Sequence, residues 1–307
     1  MRKIMRKNLV LAVMSFLLTS SIFSQVSLNP APNPSRPNEQ ISNERPSNRG
    51  RTRNLNFFPF KAKRSKDQDK KLRPSAEDLA KYADFLKQPR TGIFRLLNDA
   101  QCDSNVYVIR VDDGCKNAIP GSSFYSFRER EYTTAYLADI RFKDGLLITD
   151  GILSQNILVR LGDTSLENLS TNSQGMKFLV DFVPETLNTA ATRQYIEIVK
   201  GIRADRYEYR KVLPAAENMT YAIRIIAYRG SFYRSFRGWI FDLISGDDRF
   251  DLIVGIRVVR KDDDGSITLL WKELERKKSP KLKYDKNKDT NVRPKGFVSD
   301  RNVAGAL

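Results

Sequence analysis

Between Ile93 and Trp271 the chain is a series of short apolar runs separated by turns, and the period of those runs decides the fold class. Ile93–Leu97, Val106–Val111, Tyr136–Phe142, Leu146–Thr149, Ile152–Leu161, Met176–Val183 and Tyr221–Tyr228 are rich in β-branched and aromatic residues and read as strands. Asp-Gly pairs at Asp113, Asp144, Asp150 and Asp264 favour the positive φ angles of tight hairpins. The clearest hairpin is Asp251–Trp271. Leu252, Val254, Ile256 and Val258 alternate there with Ile253 and Val259, so both faces of the strand are apolar, as in a central strand. Lys261–Gly265 then turns the chain, and Ile267, Leu269 and Trp271 line one face of the return.

Helical spacing is confined to a few places. Ser75 caps a segment with Glu77 and Asp78 in its first turn, Leu79, Tyr82, Ala83 and Leu86 recur at helical intervals, and Pro89 ends it. Ala191, Tyr195, Ile198, Val199 and Ile202 predict a second helix over Thr189–Ile202. The expected fold is a single mostly β (α+β) domain over residues 75–275, an antiparallel sheet or sandwich with two or three short helices.

The ends read differently. Arg2, Lys3, Arg6 and Lys7 precede the apolar run Leu9–Leu18, and Thr19, Ser20, Ser21 and Ser24 follow it, so residues 1–24 have the form of a cleavable signal peptide. Residues 25–74 are rich in Pro, Asn, Ser and Arg and predict a disordered basic linker, interrupted by the island Leu55, Phe57, Phe58 and Phe60. Residues 276–307 predict a disordered basic tail. No later run approaches the eighteen or so apolar residues of a membrane helix, so no transmembrane span is expected in the mature chain.

Cysteine and charge refine this picture. An exported chain with two cysteines pairs them most simply, so Cys102 and Cys115 are expected to form a disulfide. The net charge of +17 lies almost wholly at the ends: from Ser75 to Trp271 there are 26 basic and 27 acidic residues. Attraction to an anionic polymer or glycan is thus a property of the basic arms.

The chain has no histidine, which removes Ser-His-Asp and Cys-His nucleophile systems and histidine-containing zinc sites. Aligning Gly265 with position six of a calcium loop places Arg260 at position one and Trp271 at position twelve, so that pattern fails. No metal and no cofactor is expected. Carboxylate chemistry stays open through Asp139, Asp150, Asp247, Asp248 and Asp251. The segment Tyr228–Phe241 mixes aromatics with arginines and has two readings. Phe232, Phe236, Ile240 and Leu243 fall at helical spacing as a core stripe. Alternatively Arg229, Tyr233, Arg234, Arg237 and Trp239 form a ligand surface, with rings stacking on sugars and guanidiniums pairing with anionic groups. A second patch, Phe124–Tyr132, has balanced charge and reads as structural.

The function expected is that of an exported, noncatalytic envelope or secreted interaction module, periplasmic or extracellular, binding an anionic polymer, a glycan or a protein partner. The competing expectation is a carboxylate-dependent hydrolase acting on envelope or extracellular glycan. Export and the domain's lack of net positive charge argue against nucleic acid as a partner.

Overall fold

The long hairpin of the sequence is the centre of the structure. The computed structural model describes residues 64–102, 113–236, 239–244 and 247–284, all within the unit Asn54–Leu307. The predicted signal peptide, most of the linker, the tail beyond residue 284 and the predicted strand Val106–Val111 fall outside or largely outside these residues. Among them, no helix is long and apolar enough to cross a membrane.

Three short helices lead into the sheet: α1 (Lys66–Lys71), α2 (Ala76–Lys81) and α3 (Ala83–Leu86). α1 carries a capping box, in which Ser65 and Gln68 satisfy each other's backbone N–H groups. Ser75 caps α2 as its sequence demands, its hydroxyl accepting from the Asp78 N–H at 3.0 Å.

The strands are β1 (Thr91–Leu96), β2 (Phe124–Ser126), β3 (Glu131–Tyr132), β4 (Ile140–Lys143), β5 (Leu146–Thr149) and β6 (Ser154–Gly162), then β7 (Ile202–Ala204), β8 (Tyr207–Arg210) and β9 (Val212–Pro214). After them come β10 (Thr220–Ala227), β11 (Tyr233–Phe236), β12 (Trp239–Asp242), β13 (Phe250–Lys261) and β14 (Ile267–Lys278). Helices α4 (Lys177–Asp181) and α5 (Asn188–Lys200) intervene between β6 and β7. Seven strands form one antiparallel sheet in the order β1-β14-β13-β10-β6-β8-β7, and five form a second in the order β3-β2-β4-β5-β9. The strand passing from β8 to β9 changes sheets with only Lys211 between them.

The two sheets pack face to face. Leu252, Val254, Ile256 and Val258 of β13 meet Ile140, Phe142 and Leu147 of the smaller sheet in one cluster with Tyr221, Ile223, Leu269 and Trp271. The other face of the large sheet presents Ile253, Val259, Ala222, Ile157 and Leu270 to Phe85, Leu179 and Ile198 of the helices. β13 is therefore central and apolar on both sides, and all eight residues of β10 are buried. The β4–β5 turn is Asp144-Gly145, with φ of 51° and 77°, the left-handed pair that joins two strands without splaying them.

Two local expectations are corrected. Met176–Val183 has the composition of a strand, but Lys177–Asp181 is a helix, whose final carbonyls are met by Arg224 of β10. The helical stripe through Phe232 and Leu243 is instead a hairpin: β11 pairs with β12, Tyr233 opposite Asp242 and Phe236 opposite Trp239. The Asp242 carboxylate accepts from the Phe232 N–H at 2.8 Å, and the Leu243 N–H donates to the Phe232 carbonyl, which closes the open end of that ribbon.

Cys102 and Cys115 form the expected disulfide, each from a short 3-10 turn. Closing a loop of this length stabilises a fold by about 3 kcal/mol in the chain-entropy account.

Candidate anion-binding site

The residues named from sequence divide between two places. Tyr233, Arg234 and Trp239 lie on the β11–β12 ribbon, while Arg237 and the side chains of 234–241 are outside the described residues. Arg229 stands apart, where the chain leaving β14 returns beside the end of β10. Its N–H donates to the Pro280 carbonyl, its carbonyl accepts from Leu282, and its guanidinium donates to the Ser279 carbonyl at 2.7 Å. That side chain fastens the start of the tail.

Four of the five aspartates considered for hydrolysis, Asp139, Asp150, Asp247 and Asp251, are paired with arginines, whereas Asp248 offers Arg128 only its backbone carbonyl. Arg128 Nε donates to Asp139 at 2.8 Å and its Nη1 to Asp247 at 2.6 Å, all three side chains being 2% exposed or less. Asp247 also accepts from Arg249 at 2.5 Å. Burial alone would lower the Arg128 pKa, but the two carboxylates outweigh it and raise it above the ordinary guanidinium value. For Arg249 burial wins and the pKa falls, because it has one carboxylate and feels Arg128 as a like charge. Asp251 is held by Arg224 through two parallel hydrogen bonds of 2.9 and 2.7 Å, and Asp150 lies 3.3 Å from Arg141. A carboxylate tied into such a pair has its oxygens turned to guanidinium donors, which suits neither a general acid nor a nucleophile facing a glycosidic bond. Within the Phe124–Tyr132 segment, Phe124, Tyr125 and Phe127 are core and Arg128 anchors the network, whereas the Arg130 side chain is half exposed.

A different cluster was not visible in the sequence. At one end of the sandwich the Glu273 carboxylate, with a fully buried side chain, is met by three arginines from three separate segments. Arg276 grips it in a two-pronged pair, Nε to Oε1 at 3.0 Å and Nη2 to Oε2 at 2.9 Å, and its guanidinium lies 4.3 Å from the centre of the Phe250 ring. Arg90 approaches at 3.5 Å and Arg130 at 3.8 Å, neither making a hydrogen bond to it among the described residues. Their side chains are 59% and 49% exposed. One negative charge faces three positive ones, so the four side chains carry an excess of two, and those of Arg90 and Arg130 are about half exposed.

The backbone favours neither arginine. Arg90 has φ of 60° and Arg130 has φ of 57°, the left-handed region that costs an ordinary residue about 1 kcal/mol or more. Arg90 follows α3 at the entry to β1, and Arg130 ends the β2–β3 turn. These are turn positions where Gly, Asn or Asp is the usual occupant, yet both hold arginine beside the same carboxylate. The signal in sequence was too diffuse to find: Pro89-Arg90, Arg130 and Arg276 are joined only when β1 pairs with β14 and the β2–β3 turn closes over them.

No family model, curated protein or solved structure matches this chain. The geometry of the Glu273 cluster is accordingly the basis for the functional reading.

Proposed function

We propose that the protein is an exported, noncatalytic interaction module that binds an anionic polymer or glycan through its basic ends and the Arg90–Arg130–Arg276 cluster. The observation that carries this reading is the three-to-one ratio of guanidiniums to carboxylate at Glu273, with two of the side chains about half exposed and their guanidiniums making no hydrogen bond among the described residues. Guanidinium forks match sulfate, phosphate and carboxylate groups, and clustered ones raise the local concentration of a polyanion. Export is supported by the charged, apolar and small-residue order of residues 1–24, and by the disulfide, since such bonds persist in oxidising compartments. The arms add the long-range attraction, and the cluster adds a fixed arrangement of donors.

The test is retention on an immobilised sulfated polysaccharide across a salt series. The full chain is expected to elute at higher salt than a version lacking residues 25–63 and 285–307, because fewer counterions are released when fewer charges bind. Within the shortened version, Arg90→Ala with Arg130→Ala is expected to abolish the remaining retention with an unchanged far-ultraviolet spectrum. Equal elution of the shortened protein and its double variant would overturn the role of the cluster, and equal elution of full and shortened chains would overturn that of the arms.

A further inference from the structure

A second arginine-lined place lies on the helix-facing side of the large sheet. Arg95 of β1 is paired with Thr268 of β14, and Thr268 with Arg260 of β13, so these three form a row across three adjacent strands. Arg73 and Ser75, in the connection between α1 and α2, roof the row, and Asp262 completes the lining of a pocket of about 210 Å³.

Acidic residues beside the pocket, together with Asp262 of its own lining, fix two of its arginines. Arg260 is held by Asp78, Nε to Oδ2 at 2.8 Å and Nη2 to Oδ1 at 3.0 Å, and by Glu77 at 2.6 Å. Arg95 is held by Asp262 at 3.0 Å, Asp264 at 2.7 Å and the Lys71 carbonyl at 3.2 Å. These bonds use Nε and Nη2 of Arg260 and leave its Nη1 without a partner among the described residues. The Arg73 guanidinium and the Thr268 hydroxyl likewise make no hydrogen bond among the described residues, although Thr268 is only 1% exposed. Its oxygen is not sealed off, since the enclosed side-chain atoms without a partner among the described residues are Thr134 Oγ1, Arg141 Nε and Asn156 Oδ1, so it stays open to a group entering the pocket. Three donor groups thus belong to residues lining one small space, where four carboxylates, Asp262 in the lining and Glu77, Asp78 and Asp264 beside it, are already bonded to Arg95 and Arg260, so the charge left for a ligand is that of Arg73 and the Arg260 Nη1 donor.

We propose that this pocket binds a single tetrahedral oxyanion, a phosphate or sulfate group, with Thr268 Oγ1 and Arg260 Nη1 donating from the sheet and Arg73 closing over it. The acids behind Arg95 and Arg260 keep those guanidiniums in place before the ligand arrives, which lowers the ordering cost of binding. The volume admits one such group and a small substituent, so the same chemistry can come from a free ion or from the terminal group of a longer molecule. This goes beyond polymer binding at Glu273: it concerns other residues, a small ligand and a site between helix and sheet.

The experiment is thermal unfolding of the full chain in phosphate, in sulfate and in chloride at matched ionic strength, with titration of phosphate by calorimetry. The expected result is a higher midpoint in phosphate or sulfate than in chloride, with apparent affinity weakened about tenfold by Arg73→Ala and by Thr268→Val, as loss of one charge-assisted donor implies. Arg73 is exposed and without partners among the described residues, so its variant folds irrespective of the outcome for Thr268. A phosphate response that survives in Arg73→Ala, or a wild-type midpoint identical in the three salts, overturns the proposal. A sulfated trisaccharide competing with phosphate identifies a polymer end group as the source, and failure to compete identifies the free ion. The Arg90→Ala, Arg130→Ala protein serves as a control that must keep the phosphate response, which separates this site from polymer retention.

Discussion

Replacing Asp247 by alanine is expected to be among the most damaging single changes in the domain. Among the described residues Asp247 is the only carboxylate paired with Arg249, and it is one of two held by Arg128, with the three side chains between 0 and 6% exposed. Alanine leaves Arg128 with Asp139 and carbonyls, and leaves Arg249 with the carbonyls of Tyr228, Ile152 and Leu153 but no counter-charge. Breaking a buried pair from one side costs about 3–5 kcal/mol, since the surviving charge stays desolvated. At about 2–4 °C per kcal/mol for a domain of this size, the midpoint should fall by roughly 6–20 °C. Urea and thermal unfolding followed by circular dichroism measure both quantities. The double change Asp247→Leu with Arg249→Met should recover at least half of the loss, because apolar replacement of a whole buried pair is often neutral. A loss for Asp247→Ala below about 1 kcal/mol, the scale of a solvated ion pair, would refute the reasoning.

Alkaline pH should unfold the domain partly through Tyr132. Burial pushes its phenol from the usual 10 up to about 12, so the folded chain keeps a proton that the unfolded chain releases. Stability contributed by this group is full below pH 10 and is lost as pH rises from about 10 to about 12, by roughly 2–3 kcal/mol. Tyr132→Phe should remove one proton from the slope of stability against pH in that window. It should also lower stability at pH 8 by about 1–3 kcal/mol, since the Tyr132 hydroxyl accepts from the Arg95 N–H and donates toward the Arg95 and Leu72 carbonyls. An unchanged alkaline slope would contradict this. Gly92→Ala should destabilise by about 1–3 kcal/mol, because a Cβ there would overlap the Trp271 indole, 2.8 Å from Cε2 and 3.0 Å from Cζ2, and that ring is wedged against Phe127. A variant within 0.5 kcal/mol of wild type in urea, a margin typical of surface changes, would show that the indole has room to move.

The parts of the fold legible in sequence were those written locally. The alternation of Leu252 to Val259, the Asp144-Gly145 turn and the Ala191–Ile198 spacing each specify their element without help from distant residues, and each stands in the structure. Met176–Val183 failed because its apolar residues suit either a strand or one helical turn, and the choice falls to Arg224, more than forty residues away, which satisfies the carbonyls of Leu179, Val180 and Phe182. Phe232–Leu243 failed in the opposite sense, a helical spacing overridden by the pairing of two aromatic strands. The sites were less legible still. Arg128 and Asp247 are 119 positions apart, and Arg95 and Asp264 are 169 apart, so charge counting saw a near balance without seeing which residues balance.

That balance has an internal structure. Arg224 joins the end of α4 to β10 and β13, while Arg128 and Arg249 join the small sheet and the start of β6 to the chain before β13. Each donates to carbonyls and a carboxylate at once, which a planar fork with five donors can do and an ammonium point charge cannot. Arginines used in this way are connectors between layers, and their charge is unavailable to a partner. Arg73, Arg90 and Arg130 differ, because their guanidiniums make no hydrogen bond among the described residues and lie exposed. The distinction between satisfied and idle donors therefore separates architecture from recognition more sharply than net charge does. On a nearly neutral domain, positive charge left uncommitted in this way is what the proposed binding would draw on.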